Sequence, residues 1–159
     1  MRYNELTFQG RNAVLEAFRS GKTIDKLFIL DGCQDGPIKS IVREAKKTDA
    51  IINYVDKERL DRLAGTGHHQ GVVAIGAAYE YAEVEDILAA AKEKGEDPFI
   101  FILDEIEDPH NLGAIIRTAN LAGAHGVIIP KHRASGLTAT VAKTSAGALN
   151  YTPVAKVTN

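Results

Sequence analysis

Asp108, Pro109, His110, Asn111, Gly113 and Arg117 fall in one short segment, between the apolar runs Phe99–Leu103 and Gly126–Ile129. The pattern reads as strand, polar loop, helix, glycine turn, strand. A loop that follows a parallel strand is where α/β folds place ligands. The start of the next helix offers free N–H groups and a positive dipole end, which suits an anion. Pro109 stiffens the loop, Asn111 is a good N-cap, and Gly113 admits a close backbone or ligand. Arg117 lies on the second turn and carries a planar guanidinium fork that fits a phosphate. His110 reads as a hydrogen-bonding loop residue rather than a base.

Other polar groups could meet the same kind of ligand. Arg11 and Asn12 open the first helix, either as a plain helix start or as a phosphate contact. His68-His69-Gln70-Gly71 precedes a strand. Adjacent histidines point apart and no third ligand is suitably spaced, so no metal is expected. His69 and Gln70 are read as part of a polar rim that touches RNA or the second domain. Lys131-His132-Arg133 follows a strand end, where a phosphate contact or a solvated loop is natural. Thr144-Ser145-Ala146-Gly147-Ala148 is small enough for a close helix contact or a packed nucleotide.

Charge is unevenly spread around a net value of −2. Residues 1–78 carry twelve Lys and Arg against ten Asp and Glu, residues 79–97 two against seven, and residues 98–159 five against four. After Asp108 no acidic side chain occurs, while Arg117, Lys131, Arg133, Lys143 and Lys156 remain. Cations without anions on one stretch suit a phosphate or a polyanion.

These residues need a scaffold, and the chain supplies alternating helices and strands. Helices are expected over Arg11–Ser20, Ile38–Lys47 and residues 57–64, the last capped by Asp56, and strands over Lys26–Leu30, Ile51–Val55 and Gly71–Ala77. A second α/β run has strand Phe99–Leu103, helix Asn111–Ala122, strand Gly126–Ile129, helix Leu137–Ala146 and strand Val154–Val157. Leu112, Ile115, Ile116 and Ala119 mark the core face of its first helix. Gly113, Arg117 and Asn120 form a second stripe. The expected organisation is therefore an α/β domain over 1–78, an acidic linker or outer helix over 79–97 and a second α/β domain over 98–159. Three strands in so short a second domain imply a marginal core, so that domain is expected to be incomplete.

A hydrophobic fraction of 45% and a charged fraction of 25% are ordinary for a globular chain. No apolar run is long enough to span a membrane, and the N-terminus has no apolar signal core. The lone Cys33 allows no internal disulfide and reads as a packing or loop residue. Cytoplasm is the expected compartment, with no membrane partner. The absence of GxGxxG, GxxxxGK[ST] and GxSxG argues against Rossmann dehydrogenase, nucleotide hydrolase and serine hydrolase chemistry.

On these segments the chain resembles the SpoU/TrmH family of RNA ribose 2′-O-methyltransferases, within the knotted SPOUT superfamily. The N-terminal FQGRNAVLEAF, the HQGVVA strand, the central LDEIEDPHNLGAIIRTANLAGAHGVIIPKHR and the SAGAL…PVAKVTN run are each similar to family segments, in order. The resemblance implies a small RNA-binding α/β domain, like that of members acting on 23S rRNA, joined to the first half of a knotted, mainly parallel methyltransferase domain. It implies Arg117 and Asn111 as catalytic residues, and with it the positions read above, Arg11, Asn12, His69, Gln70, Lys131 and Arg133, are expected on RNA. It implies S-adenosylmethionine as cofactor, held by motifs expected after Asn159, so that no cofactor-binding residue is expected in this chain. Ribosomal RNA and a homodimer of the full-length protein are the implied partners. Two other readings stand beside it: a non-catalytic RNA-binding module, and a small-molecule α/β enzyme holding a phosphate at the Asn111 helix start.

Overall fold

A computed structural model of the chain describes residues 6–48 and 50–159. Residues 1–5, with which the first expected domain begins, and Asp49 lie outside the described residues. The chain divides into two compact units, one spanning Glu5–Ala77 and the other containing Ala78–Asn159.

In the first unit the strands are β1 (Leu6–Gln9), β2 (Ile24–Leu30), β3 (Ile51–Val55) and β4 (Val72–Gly76). They form one sheet in the order β1-β4-β2-β3. β2 and β3 run parallel, while β4 is antiparallel to both β1 and β2. The helices are α1 (Arg11–Arg19), α2 (Gly36–Lys47) and α3 (Lys57–Ala64). Side-chain alternation on β2 explains the layering. Leu27 and Ile29 are buried with Val14 and Phe18 of α1 and Ile38 and Ile41 of α2. Phe28, one step out of phase, is buried with Leu60 of α3. Asp35 and Asp56 cap α2 and α3, accepting from the N–H groups of Ile38 at 3.2 Å and Arg59 at 2.8 Å. β1 was not expected: four residues with an exposed start carry too little apolar pattern to read as a strand, and pairing with β4 creates it.

In the second unit β5 (Ile100–Ile102), β6 (Gly126–Pro130) and β7 (Val154–Val157) form a parallel sheet in that order. Val127 and Ile129 are buried on one face with Leu112 and Ile116 of α5 (Pro109–Leu121) and Val141 of α6 (Ala139–Thr144). Ile128 faces the other way and packs with Ile87 of α4 (Val84–Glu93) and Ala155 of β7.

Of the two readings of 79–97, linker or outer helix, that second face overturns the linker and bears out the outer helix. The Ala82 N–H donates to the Val154 carbonyl at 2.9 Å, and Ile87 and Ala91 are fully buried. The segment is acidic because its outer face is solvated, and it belongs to the second unit because Ala82, Val84 and Ile87 pack on the Ile128 face of the sheet, while Leu88 stays exposed. Ile87→Ala is therefore expected to cost about 2–5 kcal/mol, as for other fully buried aliphatic truncations. A linker residue would cost within about 0.5 kcal/mol. Urea unfolding of the two chains measures the difference.

Candidate functional site

The second unit's candidate site lies at the carboxyl ends of β5 and β6. α5 starts at Pro109, two residues earlier than expected, and its cap is Asp108 rather than Asn111. The Asp108 carboxylate accepts the His110 N–H at 2.9 Å, and Pro109 takes the first helical position, where no N–H is needed. The Asp-Pro dipeptide carried that signal. Asn111 thus sits inside the first turn, exposed. Arg117 is exposed six residues further on and has no hydrogen-bond or ion partner among the described residues. Six residues along a helix is about 9 Å of rise and about 120° of rotation, so the two side chains do not share a contact spacing.

Gly113 has a different job from ligand approach. A Cβ built on it would lie 1.8 Å from Thr144 Oγ1 and 2.7 Å from Thr144 Cβ. The glycine lets α5 and α6 touch, and the small run from Thr144 is the other half of that helix contact. Asn120 completes the stripe by accepting the Thr152 hydroxyl at 3.0 Å. Arg117 alone of the stripe faces outward.

Two neighbouring loops meet here. Arg133 pairs with Glu105 at 2.6 Å, and the Ser135 N–H donates to the Ile106 carbonyl at 2.8 Å. Glu105 and Arg133 both have left-handed backbone, with φ of 55° and 54°. Non-glycine residues hold that conformation only where their surroundings impose it, commonly at functional loops. Nothing in the sequence marked Glu105. Lys131, in the same loop, anchors it by donating its N–H to the Val157 carbonyl at 2.7 Å.

The first unit brings Arg11, Asn12 and Gln70 together and removes His69 from their company. The Arg11 N–H donates to Gln70 Oε1 at 3.1 Å, and Arg11 Nε donates to the Gln70 carbonyl at 3.2 Å. The Arg11 guanidinium also pairs with Asp35. His69, expected on a polar rim, is instead 4% exposed. Its Nδ1 accepts the Gly71 N–H at 3.0 Å, so Nε2 carries the proton and donates to Asp61 at 2.9 Å. A buried imidazole needs both nitrogens satisfied, and this one is spent on fixing the backbone around Gln70. Gln70 itself is exposed, with φ of 51°. The Arg11–Asp35 and Arg133–Glu105 pairs are partly or largely exposed, and such pairs contribute about 0–1 kcal/mol, so a phosphate can compete for either arginine.

Among the described residues no helix is long and apolar enough to cross a membrane, and no group of three His, Cys, Asp or Glu could hold a metal ion.

Residues 9–82 match the family model described as RNA 2′-O ribose methyltransferase substrate binding, and residues 98–159 match the SpoU rRNA Methylase family. A Bacillus subtilis protein named as a TrmH family tRNA/rRNA methyltransferase, YacO, is 53% identical over 150 residues, which covers 94% of this chain and 60% of that protein. A Staphylococcus haemolyticus protein that also carries the name of a TrmH family tRNA/rRNA methyltransferase is 46% identical over 155 residues, covering 98% of this chain and 62% of that protein. The chain therefore spans about three fifths of the length of these curated relatives. Among solved structures, an AdoMet-bound rRNA methyltransferase from Sinorhizobium meliloti aligns over 95% of this chain and 54% of its own, at 23% identity and a TM-score of 0.43. The SpoU methyltransferase AviRb from Streptomyces viridochromogenes, in complex with AdoMet, aligns over 98% and 55%, at 20% identity and a TM-score of 0.44.

Proposed function

The chain belongs to the SpoU/TrmH family of RNA methyltransferases, and from that premise we propose that it methylates a ribose 2′-hydroxyl of ribosomal RNA. The reading extends to a homodimer for the whole protein and to the cytoplasm, where its substrate would be met. The observation that carries it is the carboxyl edge of the second sheet. There Arg117 stands exposed on the helix after β5 with no hydrogen-bond or ion partner among the described residues, and Lys131 and Arg133 occupy the loop after β6, Arg133 paired with Glu105 of the loop after β5.

S-adenosylmethionine, the family's methyl donor, would supply the methyl group. The roles assigned here to this chain's own residues concern the RNA. A ribose hydroxyl is a poor nucleophile until its proton leaves. Arg117 is a reluctant base, since a guanidinium spreads its charge over three nitrogens and offers no acceptor. Its suited task is to grip the neighbouring phosphate and stabilise negative charge developing on the 2′-oxygen. Asn111 stands too far around α5 to orient Arg117 and is assigned to the RNA itself.

RNA binding should depend on salt, because Lys and Arg contacts to phosphate release counterions. Arg11→Ala and the pair Lys131→Ala/Arg133→Ala should each weaken it, and each lost phosphate contact should flatten the salt slope by about 0.7–0.9. Filter binding to structured rRNA pieces across a salt series makes the test. Salt-insensitive binding, or none to any piece, would favour a small-molecule enzyme instead.

A further inference from the structure

A cleft of about 550 Å³ opens in the first unit beside α1, within the range of roughly 300–1,000 Å³ typical of small-ligand sites. Its polar lining is Arg11, Asn12 and Gln70, and its apolar wall is Leu30, Cys33 and Pro37. Gly71 keeps it open: a Cβ there would stand 3.2 Å from Cys33 Sγ and 3.7 Å from Leu30 Cβ. We propose that this cleft receives the base of one unpaired nucleotide in a single-stranded stretch of RNA, with Arg11 exchanging Asp35 for the adjoining phosphate. The proposal rests on the reading of the chain as an RNA-modifying protein and names where, and in what form, the first unit takes the strand.

The two walls differ in a way that suits a base. One side is apolar and can pack against a ring face. The other carries side-chain amides, which pair with base edges once a base is splayed from its neighbours. The Arg11 N–H fixes which atom of the Gln70 amide is oxygen, leaving its NH₂ as the donor for a base acceptor. That donor is held in advance. Asp61 orients His69, His69 accepts the Gly71 N–H, and Gln70 is thereby locked in its left-handed conformation. A preorganised donor loses little entropy when the ligand arrives. Arg11 is held only by a partly exposed ion pair and by Gln70 itself, so it can change partner without unfolding anything. A paired base in an A-form duplex cannot enter such a cleft, since its edge is occupied and its faces are stacked.

The chain has one cysteine, and it lines this cleft, so its alkylation reports occupancy there and nowhere else. The 159-residue chain is labelled with N-ethylmaleimide alone, with a single-stranded oligouridylate or oligoadenylate of about eight nucleotides, a length within known single-strand site sizes, and with a blunt RNA duplex of matched charge. At ten times its dissociation constant, measured by anisotropy, the single strand should slow labelling of Cys33 about tenfold by mass action. The duplex should bind without slowing it. Asn12→Ala, on the exposed lining, should weaken single-strand binding while leaving the duplex unaffected. Unchanged labelling with the octamer demonstrably bound would overturn the cleft as the site and leave the RNA reading standing, as would equal protection by the duplex. Failure of every RNA to bind at low salt would overturn the RNA reading itself.

Discussion

In a full-length version of the protein, on the function proposed above, Arg117→Ala is expected to lower single-turnover methylation of rRNA about a hundredfold or more, a loss of about 2.7 kcal/mol of transition-state stabilisation, as for removal of one oxyanion donor. Arg117→Lys should fall nearly as far. Lysine keeps the charge but loses the planar two-point grip on phosphate and developing oxyanion. RNA affinity should fall far less in both variants, because Arg11, Lys131 and Arg133, the other proposed phosphate contacts, remain. The split between rate and affinity is what decides the assignment. If Arg117→Ala leaves single-turnover methylation intact, or if its whole effect appears in RNA binding, Arg117 is one more phosphate contact and α5 is not the catalytic element.

Gly113→Ala should destabilise the second unit although it replaces glycine in the middle of a helix. Helix propensity alone would favour alanine by about 1 kcal/mol. The added methyl, however, would meet Thr144 Oγ1 at 1.8 Å, Thr144 Cβ at 2.7 Å and the Ser145 backbone nitrogen at 3.0 Å. A flexible side chain could swing aside, but a backbone nitrogen moves only with its helix. Overpacking of this kind costs typically about 1–3 kcal/mol, so the net change should be destabilising, with α6 displaced from α5. Thr144→Gly in the same chain should recover part of the loss, and a double-mutant cycle by urea denaturation would show the coupling. A stabilised Gly113→Ala protein would mean that α5 and α6 do not meet at this glycine. It would also restore Gly113 as a candidate for ligand approach.

Much of the architecture was legible in residue order because local rules and tertiary packing agreed. Asp56 before a helix, Gly65 after it, the i, i+3, i+4, i+7 pattern from Leu112 to Ala119 and the apolar runs of β2, β4 and β6 are signals of short range. Each needs only its own segment to be understood. The Asp108 cap was equally legible from the Asp-Pro pair, and the more familiar look of Asn111 obscured it.

What the chain order could not decide were the questions that depend on which distant residue stands opposite. Whether His69 faces a partner or the interior turns on Asp61 and Gly71, which take both of its nitrogens and bury it. Whether 79–97 links or packs turns on the far face of β6 and β7, where Ile87 finds Ile128 and Ala155. Gly113 could have admitted a ligand or a helix, and Thr144, some thirty residues away, chose the helix. By itself the sequence determined the two α/β units, their charge and the family. The tertiary structure alone decided which polar residues are spent on holding loops and which are left to act, because partners for buried hydrogen-bonding groups are assigned by packing across the sheet and not by spacing along the chain.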